Sequence, residues 1–137
     1  MRRALAGVAL ATLLPACGDD GGTGDAPAVV LFDEAFAAMA PQANCSGPLC
    51  HTGPAAGLSY FGPDQFYDGV YEVPASGPQC GTSGLLRVAP GKPDESLLVQ
   101  KLEGTASCGE IMPPTGLLDD AAVRVVRDWV ASGAKRR

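Results

Sequence analysis

The chain has 137 residues and only one histidine, His51. That scarcity excludes any site needing two imidazoles from one molecule. There is no Cys–His dyad with an orienting acid and no phosphate-binding glycine loop, so no catalytic constellation is offered. Extended β-branched runs, which strands favour, are also scarce. Glycine (18) and proline (12) are abundant, which points to short helices joined by defined loops. Basic residues are few, 10 against 15 acidic ones, for a net charge of −5. An acidic surface disfavours nucleic acid and anionic lipid, which both rely on cationic contacts. It suits a basic partner protein. No apolar run is long enough to span a bilayer stably.

What is present begins with an export signal. Arg2 and Arg3 form a positive start, and Ala4 to Leu14 is an apolar run of the length of a signal core. Leu14-Pro15-Ala16-Cys17 resembles a bacterial lipoprotein box. The expectation is a signal peptide over 1–16, a lipidated Cys17, and a flexible Gly/Asp-rich linker over 17–28. The alternative is an ordinary signal cut nearby that leaves a free cysteine. Without the leader, eight basic residues face fifteen acidic ones, a net charge of −7. The protein is then extracytoplasmic, held on a bacterial membrane by lipid alone, at the periplasm or cell surface. One domain, 29–137, remains, large enough to bury about 60–70% of its unfolded surface.

Apolar spacing predicts a first helix from about Val29 to Ala40, with Asp25 or a neighbour as its cap. Phe32, Phe36, Met39 and Ala40 form its inner face, and Pro41 limits its run. Thr52 to Val73 is rich in glycine and aromatics: Tyr60, Phe61, Phe66, Tyr67 and Tyr71. A short helix fits Pro63 to Tyr71. Aromatics this dense need a large body to pack on, either a cofactor or an ordinary core. Pro74 to Arg87 reads as loop. Pro93 fits the first position of a third helix that buries Leu97, Leu98 and Leu102 and stops at Gly104. The last helix runs from an Asp119 cap to about Ala131, with Ala122, Val123, Val126, Trp129 and Val130 as its stripe. Gly133 closes it, and Lys135, Arg136 and Arg137 complement its negative end.

The chemistry centres on Cys45-Ser46-Gly47-Pro48-Leu49-Cys50-His51. Two cysteines followed at once by histidine is how a chain holds a c-type haem. Each thiol adds to a vinyl group, and the imidazole becomes the iron's proximal ligand. The usual gap between the cysteines is two residues. Here it is four, with Gly47 and Pro48 available to fold the longer loop. The bland reading is a small disulfide loop beside a surface histidine. Opposite His51 the iron needs a methionine or something weaker. Met39 lies only a dozen residues before His51 on the same approach, whereas Met112 lies 61 residues beyond it, on a loop stiffened by Pro113 and Pro114. A stiff loop holds a thioether at low entropic cost, so Met112 is the expected ligand, with core filler as the alternative. Cys80 and Cys108 then remain for a disulfide. A rival scheme pairs Cys45 with Cys50 and leaves His51 idle.

The ordered set continues through Arg87-Val88-Ala89-Pro90-Gly91-Lys92-Pro93-Asp94-Glu95-Ser96-Leu97-Leu98, Met112-Pro113-Pro114, and Leu118-Asp119 to Arg127-Asp128-Trp129-Val130-Ala131-Ser132-Gly133-Ala134. Over about residues 29–134 it resembles the small class I c-type cytochromes, most closely the planctomycete-type and related bacterial lipoprotein cytochrome-c-like domains. The resemblance implies an all-α cytochrome c fold, three to four helices around one covalently bound haem c. Its first and last helices would pack across each other. It implies attachment through Cys45 and Cys50, axial ligation by His51 and Met112, and electron transfer between redox partner proteins rather than catalysis. Two other readings compete. One is a haem-free surface module of the same fold closed by Cys45–Cys50 and Cys80–Cys108 disulfides. The other is a metal site on Cys45, Cys50 and His51, which offers only three close ligands in an oxidising compartment.

Overall fold

A computed structural model describes residues 29–43, 51, 58 and 62–137. The expected signal peptide, Cys17, the linker, Cys45, Cys50, Tyr60 and Phe61 lie outside the described residues. The described part is mostly helical: α1 (Phe32–Ala43), α2 (Pro63–Val70), α3 (Leu97–Glu103) and α4 (Asp120–Ala131), with a 3-10 turn over Pro93–Glu95 before α3. None of its helices is long and apolar enough to cross a membrane.

Helix α1 starts and ends three residues later than its apolar spacing suggests. Leu31 stands at the cap position, its carbonyl accepting from the Glu34 and Ala35 amides, both at 3.2 Å. The Glu34 carboxylate reaches back to the Leu31 N–H at 3.3 Å, half of a capping box. Asp25, named as a cap candidate, lies outside the described residues. At the other end α1 runs through Pro41 to Ala43. Proline in the last turn removes only the bond to the Ala37 carbonyl, so the helix finishes its turn.

The third helical segment is broken in two. Pro93 opens the 3-10 turn, and Ser96, fully buried, separates that turn from α3. The Ser96 hydroxyl accepts from the Ala89 N–H at 2.8 Å and donates to the Lys92 carbonyl at 2.9 Å. A side chain that bonds backbone groups in this way competes with helix continuation. The restart at Leu97 turns Val99 fully inward and leaves Leu98 half-buried, so the buried row is Leu97, Val99 and Leu102. Gly104 ends α3 in the left-handed region (φ 71°), as its position suggests.

Helix α4 is capped by the Asp119 carboxylate, which accepts from the Ala122 N–H at 2.7 Å. Its end is a Schellman turn. The Ala134 N–H bonds the Trp129 carbonyl (2.9 Å) and the Gly133 N–H bonds the Val130 carbonyl (3.0 Å), with Gly133 at φ 101°. This turn sends the tail away from the helix end. Arg136 does not face that end as expected. It reaches α2, bonding Asp64 (2.5 Å) and Asp68 (3.0 Å).

The first and last helices make the most extensive helix–helix contact. They run in opposite senses. Gln42 late in α1 accepts from the Asp119 N–H at 3.2 Å, and the Ser132 hydroxyl after α4 donates to the Val30 carbonyl at 3.2 Å. Between them lies an aromatic core. Phe32 sits 5.0 Å from Tyr67, 5.5 Å from Trp129 and 5.6 Å from Phe36, centroid to centroid. Phe32 and Trp129 are 2% and 1% exposed. Burying one such ring is worth about 2–3 kcal/mol. Exposed ion pairs such as those of Arg136 are screened by water and salt, so apolar burial decides the packing.

The segment from Val73 to Arg87 is more ordered than the plain loop expected of it. Pro74 pairs with Leu86 in an antiparallel bridge, and Leu86 pairs in turn with Ser96. The Arg87 N–H bonds the Val73 carbonyl at 2.8 Å and the Ala75 N–H bonds the Leu85 carbonyl at 2.9 Å. Backbone groups half-buried beside a core need such partners. This hairpin and α3 carry the walls of the site.

Candidate functional site

One largely apolar cavity of about 350 Å³ opens beside the aromatic core. That volume lies within the range of small-molecule and cofactor sites. Helices α1 and α2 supply Met39, Phe66 and Val70, and α3 supplies Leu97, Leu98 and Leu102. Loops supply His51, Leu58, Met112, Pro113 and Pro114. The Met112–Pro113 bond is cis.

His51 is oriented by its own loop. Its Nδ1 lies 3.0 Å from the Leu58 carbonyl oxygen. A carbonyl only accepts, so Nδ1 carries the hydrogen in this contact. In the neutral ring that tautomer puts the lone pair on Nε2, the atom a metal takes.

Met112 is half-buried, and its N–H donates to the Lys101 carbonyl on α3 at 3.1 Å. Cys80 and Cys108 are joined as a disulfide with their Cα atoms 5.4 Å apart. The link ties the hairpin to the loop that leads to Met112. Cys80 also lines the cavity.

Two cations stand in the cavity wall, Arg87 and Lys101. Arg87 donates to the Gly69 carbonyl (2.6 Å) and the Ser76 hydroxyl (2.7 Å). Lys101 donates to the carbonyls of Glu110 (2.7 Å) and Cys108 (3.1 Å). Burial pulls both groups below their ordinary pKa. For Lys101 the nearby Glu110 charge partly offsets the shift.

Of the four residues expected to bind a cofactor, His51 and Met112 line one cavity, and Cys45 and Cys50 lie outside the described residues. Met39, the other methionine considered, lines the same cavity but is 2% exposed and packed in the core. Phe66 faces both the core and the cavity, while Tyr67 and Tyr71 stack on each other beside the core, centroids 5.1 Å apart. Sequence reasoning missed Leu58, Arg87 as a wall residue, and Lys101. Leu58 contributes a backbone carbonyl, for which no residue type codes. Among the described residues no group of three or more His, Cys, Asp or Glu side chains is placed to hold a metal ion. Comparison with protein-family models, curated proteins and solved structures finds no match.

Proposed function

We propose that this protein is a mono-haem c-type cytochrome that carries electrons outside the cytoplasm. In this reading Cys45 and Cys50 hold the haem c covalently, His51 and Met112 are its axial ligands, and Cys17 carries the lipid anchor. The observation that carries the reading is the cavity itself. Its wall includes the chain's only histidine, bonded through Nδ1 to Leu58, together with the Met-Pro-Pro segment. The donor set suits the group: one imidazole with its lone pair on Nε2, one thioether, and an apolar enclosure.

When bound, haem supplies a one-electron couple at its iron. The chain's own residues would tune it. The Leu58 carbonyl would fix the His51 ring orientation and tautomer. The Met112 thioether favours the reduced state and a higher potential than a second imidazole would. Apolar side chains from α1, α2 and α3 exclude water. Arg87 and Lys101 bring positive charge to the wall, which favours an added electron. The acidic surface suits a basic redox partner.

Intact mass of the exported, denatured protein, together with its pyridine haemochrome spectrum, tests the reading. A covalent gain of one haem supports it. No gain in a host that matures c-type cytochromes sinks it and leaves the haem-free surface module. In loaded protein, Met112→Ala is expected to lower the potential and move the ferric spectrum toward high spin, with haem content unchanged.

A further inference from the structure

Lys101 touches the Met112 loop at three places. Its backbone carbonyl accepts the Met112 N–H at 3.1 Å. Its ammonium donates to the Glu110 carbonyl at 2.7 Å and the Cys108 carbonyl at 3.1 Å. These bonds span residues 108–112, the stretch between the disulfide and the two prolines. Glu110 and Ile111 are exposed, and Gly109 carries no side chain. The close fit is built for the lysine. A Cβ at Gly109 would lie 2.8 Å from the Lys101 nitrogen and 3.0 Å from the Gln79 amide oxygen. The lysine also places a half-buried charge on backbone carbonyls, an arrangement with some desolvation cost.

We infer that Lys101 is the positioning residue of Met112: its ammonium splints the 108–112 loop onto α3 and so holds the thioether at the cavity wall. The splint is a feature of the loop whether or not a cofactor is bound. Its consequence for iron ligation rests on the proposed cytochrome reading. The disulfide fixes where the loop starts and the prolines stiffen where it ends. Lys101 supplies the tie between them.

The test compares Lys101→Met, which keeps the stem and removes every donor, with Lys101→Arg, which keeps charge and donors. Arg136→Met is the control, since it removes a tail contact remote from this loop. In haem-loaded protein the readouts are the ferric thioether–iron charge-transfer band and the reduction potential. Lys101→Met is expected to weaken or lose the band and lower the potential at unchanged haem content. Lys101→Arg is expected to retain most of both, and Arg136→Met to leave both unchanged. Amide hydrogen exchange gives a second readout that needs no haem. Lys101→Met is expected to speed exchange at Met112 by about tenfold, the factor for losing one to two net hydrogen bonds, while amides in the middle of α4 keep their protection. If Lys101→Met melts too low to measure, Lys101→Gln, which keeps a single donor group, gives the same comparison. An unchanged band, potential and Met112 exchange overturns the inference. So does an equal change in Arg136→Met. Absence of haem from the wild-type protein counts against the cytochrome reading alone, and the exchange comparison still decides the role of Lys101.

Discussion

The Tyr67 hydroxyl donates to the Ala134 carbonyl at 3.0 Å, joining α2 to a tail residue held at φ 52°. Left-handed backbone at a non-glycine residue costs about 1–2 kcal/mol. Here the Schellman bond to Trp129 and the Tyr67 bond hold Ala134 in place, and its side chain is fully buried. Tyr67→Phe removes the tyrosine bond and keeps the ring. It should lower stability by about 0.5–1.5 kcal/mol. A denaturant midpoint that falls at unchanged slope is the expected reading.

The same tyrosine gives a pH dependence. Burial, with smaller contributions from Tyr71 and nearby acids, raises its pKa above the ordinary 10.0, while Arg136 over its ring opposes the shift. The folded state therefore holds this proton more tightly than the unfolded chain. The contribution is complete below about pH 10 and is lost as pH rises through the folded value. Tyr67→Phe should remove that part of the alkaline loss of stability, measured as midpoint against pH.

Ser96 is a buried hydroxyl with two backbone partners. Ser96→Ala leaves the Ala89 N–H without its acceptor. The expected cost is about 1–3 kcal/mol, read from thermal or denaturant unfolding. Ser96→Thr, which keeps the oxygen, tests whether the fully enclosed site accepts one more methyl.

The Cys80–Cys108 bond closes a loop of 28 residues' separation. In the chain-entropy model such a link is worth about 3–4 kcal/mol. Replacing both cysteines by serine should lower the unfolding midpoint accordingly. Hydrogen exchange should rise most in residues 76–84 and 105–112, where the small cluster of Ala75, Cys80 and Leu97 meets Ala106 and Cys108.

Helix α4 was legible almost residue by residue because every signal agreed: an Asp119 cap, a 3.6-period stripe and Gly133 beyond the end. Helix α1 was displaced because its start is set by Glu34 reaching back to Leu31, and its end tolerates Pro41 at small cost. The break at Ser96 was not legible, since a serine inside an apolar run gives no sign of whether its hydroxyl will find backbone partners. At the site, His51 and Met112 were legible as residue types with chemistry. Leu58 and Lys101 act through contacts that only tertiary structure creates. Lys101 reads in sequence as an ordinary exposed helix cation, yet its ammonium turns onto the loop carbonyls instead.

The tail after α4 carries a consequence for how the chain is assembled. The Lys135 backbone carbonyl accepts from the Phe32 N–H at 3.1 Å and from the Trp129 indole N–H at 2.9 Å, and the Ser132 hydroxyl donates to the Val30 carbonyl. The first helix of the domain is thus fastened by residues made about a hundred positions later. A nascent chain that has released only residues up to about 130 lacks the Ser132 hydroxyl and the Lys135 carbonyl that fasten the start of α1, and loop closure of that length is slow. The two bonds to the Lys135 carbonyl form only once residue 135 has emerged, so the start of the first helix is the last part of the domain to be fastened.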